Sequence, residues 1–200
     1  MMAGTESEKK LLSLIEEGVS ASADSLAEVS HTTWATQTLS ISMDGSGSVE
    51  SLQGQLALDK TEHYGAFLST SGMVFLLMLP KKGGPGLAEA FMSDRSRRAG
   101  SAPPPEGTCI AEIANVVINT IANTLANACD DIFMLSAPTM ILGKKEALLK
   151  LAVDELEAGG QTFAIMTYVS MSSEKLSSDC TVLLLLSPAC RGRILKALDQ

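Results

Sequence analysis

Asparagine recurs every four residues along one stretch of the chain, behind a single glutamate. The five residues, which we call the asparagine stripe, are Glu112, Asn115, Asn119, Asn123 and Asn127. A helix turns by about 100° per residue, so these side chains fall in one stripe about a third of the circumference wide. The other positions are mostly Ile, Val, Leu and Ala, which predicts a largely buried helix whose stripe faces outward or toward a partner.

Hydrogen bonding is the chemistry that this stripe can do. A carboxamide both donates and accepts hydrogen bonds, so a row of amides behind one carboxylate can position a polar ligand or a water molecule. A plain solvated face is the alternative. Such faces favour Lys, Glu, Gln and Arg, which are better helix formers than Asn. Helical geometry alone leaves both interpretations open.

The stripe is carried by a predicted long helix from about Thr108 to Asp130. Residues 73–79 (MVFLLML) are apolar on both faces, which predicts a central strand. Hydrophobic periodicity elsewhere predicts a helix over 7–30, strands over 33–43, 51–60, 63–69, 133–143, 161–171 and 179–188, and short helices from Gly86 and over 188–199. Residues 144–160 fit helix or strand. Most strand links look like hairpins, so we predict an α+β fold with a largely antiparallel sheet and two long helices packed on it.

A stretch rich in proline and glycine, SDRSRRAGSAPPPEG at residues 93–107, divides the chain. Each half, 1–93 and 107–200, runs long helix, strands, short helix, and the halves begin roughly a hundred residues apart. Neither half looks able to bury its apolar faces alone. We therefore interpret residues 1–200 as a single domain of two pseudo-repeated halves joined by a Pro-rich loop.

Composition argues against several classes of function. The chain is 46% hydrophobic, which is too apolar for disorder, and its net charge of −8 disfavours binding to nucleic acid. Its longest apolar runs are too short to span a bilayer and its start lacks a signal peptide, so we expect a cytoplasmic protein without membrane insertion. The cysteines form no CxxC pair, which argues against structural zinc, and Cys129 and Cys180 are expected in the core.

One spaced motif resembles the signature of a known family. Glu112-Ile-Ala-Asn115, followed after 22 residues by Pro138, is similar to the pattern of the CheC/CheX/FliY chemotaxis phosphatases. That pattern is Asp or Ser, three residues, Glu, two residues, Asn, 22 residues, Pro. Here Thr108 stands at the leading position, which is a departure from the pattern, although threonine can still cap a helix. The resemblance extends over residues 63–143, with GMVFLLMLP before the motif and SAPTMILG after it.

The resemblance implies a CheC/CheX-like fold and dephosphorylation of a phosphorylated CheY-type response regulator. In that family the Glu pairs with the regulator's active-site lysine and the Asn orients the attacking water, roles that fall here to Glu112 and Asn115. The regulator brings its own Mg²⁺, so no intrinsic cofactor or metal site is expected. The first helix offers Glu17-Gly-Val-Ser20 or Ser13-Leu-Ile-Glu16, and neither has the Asn, so we expect a single site, as in CheX-like members.

Three further residues are candidates for contacting the partner, namely Asn119, Asn123 and Pro138. Asn119 stands where CheX-like sequences usually have glycine, and it either helps the partner to dock or crowds it. Pro138 either shapes the end of a groove beside the helix or merely ends strand pairing. The alternative function is a non-catalytic adaptor that binds a chemotaxis or flagellar-switch protein. A homodimer through exposed strand edges is also possible.

Overall fold

Long helices and strand hairpins alternate along the chain. The structure is a computed structural model that describes residues 6–30, 33–42, 52–54, 56–91, 105–158, 165–173 and 178–199. Its elements are α1 (Glu6–Ser30), β1 (Ala35–Ser42), β2 (Glu62–Thr70), β3 (Met73–Pro80), α2 (Gly84–Phe91), α3 (Glu106–Ala128), β4 (Thr139–Lys144), α4 (Lys145–Ala158), β5 (Ile165–Ser173), β6 (Ser178–Leu186) and α5 (Pro188–Leu198).

The six strands form one antiparallel sheet in the order β1-β5-β6-β3-β2-β4. β3 lies between β6 and β2, and all of its residues are buried. Leu77 faces one core cluster while Leu76, paired with Leu183 of β6, faces the other. The apolar run over 73–79 is therefore a central strand, because its side chains fill the core on both faces of the sheet. The antiparallel pairing of the strands, together with the helices, confirms the predicted α+β fold.

The two halves of the chain interleave within this sheet. β3 and β6, one from each half, pair at its centre. The first strand of each half then pairs with the hairpin of the other half, β1 with β5 and β4 with β2. The sheet is therefore shared by both halves.

Helices cover the sheet on both sides. α1 and α3 pack side by side on one face, and α4 covers the other. The α1–α3 contact is close at Gly18, where an added Cβ would lie 3.0 Å from the Cα of Ile121. The Ser22 hydroxyl, buried beside it, donates to the carbonyls of Gly18 and Val117. This contact fixes α3 against α1.

Three predicted elements need correction or refinement. The predicted strand over 51–60 is wrong, because residues 52–54 and 56 are helical and residues 57–58 form a turn. Leu52 and Leu56, four apart, both enter the second core cluster, and that helical spacing prevails over the local alternation. Only Thr139–Lys144 of the strand predicted over 133–143 is a strand, and the ambiguous stretch 144–160 is helical over Lys145–Ala158.

Other predictions are confirmed. The hairpin over 63–80 and the terminal helix have the expected places, and Ser187 caps that helix by accepting a hydrogen bond from the Cys190 amide ahead of Pro188. Cys180 is buried and Cys129 is half-buried. Most of the predicted Pro-rich loop over 93–107 lies outside the described residues.

Candidate functional site

The asparagine stripe lies on the solvent-facing side of α3, as its periodicity predicts. Glu112, Asn115, Asn123 and Asn127 are exposed, and Asn119 is half-buried. The opposite side of the helix enters the core through Ile110, Ile113, Val117, Ile118, Ile121 and Leu125. By length and composition α3 is the one helix in the described ranges that could cross a membrane, yet 56% of its most apolar window is buried inside the fold. It is thus packed as a core helix with one polar face.

The start of α3 is tied to the sheet by a hydrogen bond. The Tyr64 hydroxyl of β2 donates to Oε2 of Glu106 at 2.8 Å. This hydrogen bond, together with burial and the negative charge of Glu106, raises the pKa of Tyr64. Gly84 makes room for the contact, since an added Cβ there would lie 3.1 Å from the Tyr64 ring. Sequence reasoning missed this pair because nothing in the local pattern links residues 42 positions apart.

Thr108 does not cap α3. The residue at the N-cap is Pro105, and the helix begins at Glu106. Thr108 is already inside the first turn, with its amide donating to the Pro105 carbonyl at 2.9 Å. The extended backbone of Pro105 (φ −52°, ψ 138°) places the start of the helix just after the proline ring. Thr108 is exposed.

Asn115 and Asn119 are joined by their side chains. Nδ2 of Asn119 lies 2.7 Å from Oδ1 of Asn115 and 2.7 Å from the Asn115 carbonyl oxygen. Residues four apart are neighbours on a helix surface, so this pair needs no distortion of α3. The contact holds one carboxamide of the stripe against another.

Glu112 lies one turn before Asn115 on the same exposed face. Its carboxylate makes no hydrogen bond or ion pair with any described residue. Its charge, added to burial, raises the pKa of the Cys109 thiol. An exposed carboxylate without a partner of its own is available to a cation on another molecule.

Pro138 is half-buried and directly precedes β4. The β4–β2 ladder begins only at the next residue, where Thr139 pairs with Phe67. The preceding segment is held by Ser136, whose amide donates to the Ser69 carbonyl at 2.8 Å. Pro138 thus stands where the regular β4–β2 register begins, and its contact with a partner stays a prediction.

The site is a helix surface, and within the described ranges the stripe residues line none of the best-formed cavities. A cavity of about 390 Å³ lies at the far end of α3, lined by Lys10, Ser13, Leu14, Ala128, Ala197 and Leu198. Within the described ranges no three His, Cys, Asp or Glu side chains cluster as a metal site would. Small-molecule sites are concave and enclosing, so an exposed convex stripe fits a protein surface better.

Solved structures resemble the whole chain, although no protein-family model and no curated protein matches it. FliY from Thermotoga maritima superposes with a TM-score of 0.65 at 12% identity, covering 100% of this chain and 98% of that one. The chain has the CheC/CheX/FliY fold. FliM in the FliM–SpeE complex of H. pylori matches with a TM-score of 0.64 at 11% identity, covering 98% of this chain and 96% of that one. Members of the CheC/CheX/FliY fold at such low identity share architecture, and activity needs its own test.

Proposed function

We propose that the protein dephosphorylates the aspartyl phosphate of a CheY-type response regulator in the cytoplasm. Asn115 positions the attacking water, and Glu112 pairs with a lysine of the regulator. The observation that carries the proposal is the placement of these two side chains, one turn apart and exposed, on a helix anchored in the core of a CheC/CheX/FliY fold.

The reaction requires little from this chain except that it positions the attacking water. An acyl phosphate is already activated, and the regulator holds the Mg²⁺ and carboxylates that neutralise charge on the phosphoryl group. Water attacks phosphorus, the bond from phosphorus to the aspartyl oxygen breaks, and inorganic phosphate leaves with the regulator's carboxylate restored. When the water is held in line with the phosphorus, a bimolecular step becomes effectively unimolecular within the complex. Large accelerations can arise from this positioning.

Rigidity of α3 supports the same proposal. The Tyr64–Glu106 hydrogen bond and the Gly18–Ile121 contact fix the helix at both its start and its middle. A site on a packed helix holds its side chains more precisely than one on a loop.

The test is phosphate release from the phosphorylated regulator, measured with and without the protein. Wild type is expected to accelerate release, and Asn115→Ala to lose about 10²-fold of the acceleration because the water is no longer held. Asn127→Ala, which removes an exposed amide at the far end of the stripe, is the matched control. Circular dichroism of each variant checks that the fold is retained. Absence of acceleration with every regulator encoded nearby would contradict the proposal.

A second candidate is a non-catalytic adaptor for a flagellar-switch protein. FliM in the FliG–FliM complex of H. pylori matches with a TM-score of 0.59 at 12% identity, covering 97% of this chain and all of that one. Thr108, where the signature has Asp or Ser, also favours this candidate. An adaptor would bind its partner without releasing phosphate, and Asn115→Ala would leave that binding unchanged. Dimerisation through the edge strands β1 and β4 stays a prediction.

A further inference from the structure

We infer that Asn119 is a positioning residue that locks the carboxamide of Asn115 with its NH₂ group facing outward. The inference about side-chain order stands on the structure of α3, while its consequence for hydrolysis rests on the proposed function.

Asn119 uses its whole donor capacity on Asn115. A primary amide has two N–H donors, and Nδ2 of Asn119 lies 2.7 Å from each of two acceptors, the Asn115 carbonyl oxygen and Oδ1. Side chains on a helix lean toward its N-terminus, so Asn119 lies back over the turn that carries Asn115. Its half-buried state agrees with this folded-back position.

The hydrogen bond decides which way the Asn115 amide faces. With Oδ1 accepting from Asn119, the NH₂ group of Asn115 must point away from it. The opposite orientation would bring two NH₂ groups together, donor against donor. Nδ2 of Asn115 makes no hydrogen bond within the part of the chain that the structure describes, so both of its N–H groups are open to a ligand.

An outward NH₂ group suits the proposed water. A water molecule that accepts an N–H hydrogen bond uses one lone pair and keeps the other for attack on phosphorus. Because the amide is fixed before the regulator binds, no free energy is needed to order the side chain during the reaction. Asn119 therefore assists the site, because its side chain lies against the helix and its donors are turned toward Asn115.

Nuclear magnetic resonance tests the order of the side chain without any regulator. Three-bond couplings to Cγ of Asn115 report its χ1 distribution, and nuclear Overhauser contacts of its two Nδ2 protons report which way the amide faces. We expect one dominant rotamer in wild type, averaging over at least two wells in Asn119→Ala, and no change in Asn123→Ala, which removes an exposed amide one turn further on. Rotamer averaging in wild type, or unchanged couplings in Asn119→Ala, would overturn the inference.

Kinetics then tests the consequence. Asn119→Ala should lower kcat about three- to tenfold with KM nearly unchanged, since the productive rotamer becomes one of several. Asn119→Gln, which keeps an amide donor at the same helical position, should recover most of the loss. If Asn119 had a purely structural role, its replacement would not lower kcat selectively and would not change the Asn115 couplings. If the couplings change as expected while wild type and Asn115→Ala release phosphate equally, the locking stands and the proposed function fails.

Discussion

Nδ2 of Asn119 donates a hydrogen bond to Oδ1 of Asn115 over 2.7 Å, one turn earlier on α3. The five side chains of the asparagine stripe are therefore not equivalent. Asn115 is held in one orientation, whereas Asn123 and Asn127 are exposed and make no side-chain hydrogen bond with the described residues. The stripe divides into an ordered part near Glu112 and a solvated part toward the end of the helix.

Glu112 is predicted to act in binding the partner. Glu112→Gln removes the charge and keeps the shape, so KM for the phosphorylated regulator should rise about two- to fivefold, the range of an exposed ion pair, with kcat little changed. Salt screens exposed charges, so raising ionic strength should increase KM for wild type more steeply than for Glu112→Gln. Steady-state kinetics at several salt concentrations makes the comparison. If KM has the same salt dependence in the two proteins, Glu112 does not take part in the interface.

Gly18 is predicted to be essential to the packing of α1 on α3. Alanine is the better helix former, yet its Cβ would lie 3.0 Å from the backbone of Ile121. We expect Gly18→Ala to lower the free energy of unfolding by about 1–3 kcal/mol. Gly192→Ala in α5 is the control, because nothing lies within 4 Å of its added Cβ. That variant should gain about 0.5–1 kcal/mol in the same urea titration. If Gly18→Ala were as stable as wild type, α1 and α3 would be able to move apart at little cost in free energy.

Asp130 follows α3 in a strained backbone conformation. Its φ of 48° is left-handed, and its negative charge lies at the carboxyl end of a helix dipole. The Asp131 amide closes the helix end by donating to the Ala126 carbonyl at 3.0 Å. Asp130→Gly should therefore raise the free energy of unfolding by about 1 kcal/mol. Asp130→Asn removes only the charge and should therefore give a smaller increase in the free energy of unfolding than Asp130→Gly. Thermal denaturation of both variants separates the contribution of the charge from that of the left-handed backbone.

Stability in acid is predicted to depend on Asp59. Burial raises the pKa of Asp59, but hydrogen bonds from Thr61 and Lys145 and the Lys145 charge outweigh it and lower the pKa from 3.8 to about 2. A lowered folded-state pKa adds stability above pH 3.8 that is lost as the pH falls toward about 2. Its side chain is 33% exposed, so we expect about 1–2 kcal/mol after solvent screening.

Urea titrations between pH 2 and pH 5 measure this loss. Asp59→Asn should be less stable than wild type at pH 5, and the difference should shrink toward pH 2. Asp154→Asn, which replaces an exposed aspartate on α4, should follow the wild-type profile. A constant difference between Asp59→Asn and wild type across this range would assign the acid sensitivity to other groups.

Local patterns predicted the elements that have a strong, uninterrupted period. The apolar run of β3 and the stripe of α3 were predicted correctly because each period extends over two turns or more, or over a whole strand. The short stretch around Leu52 and Leu56 was predicted wrongly as a strand. Few residues were available to define its period, and packing of both leucines into one core cluster decided the outcome. The residue type of Thr108 allows it to cap a helix, but α3 already begins at Glu106, directly after Pro105.

By itself the sequence determined that one helix carries Glu112 and four asparagines on a single polar face, because helical period is a property of consecutive residues. Tertiary structure alone decided how that helix is held, through the Tyr64–Glu106 hydrogen bond and the Gly18–Ile121 contact. It also decided that the two halves interleave in one sheet. These contacts join residues far apart in the chain, and their partners are selected by packing and hydrogen-bond geometry that no local period encodes.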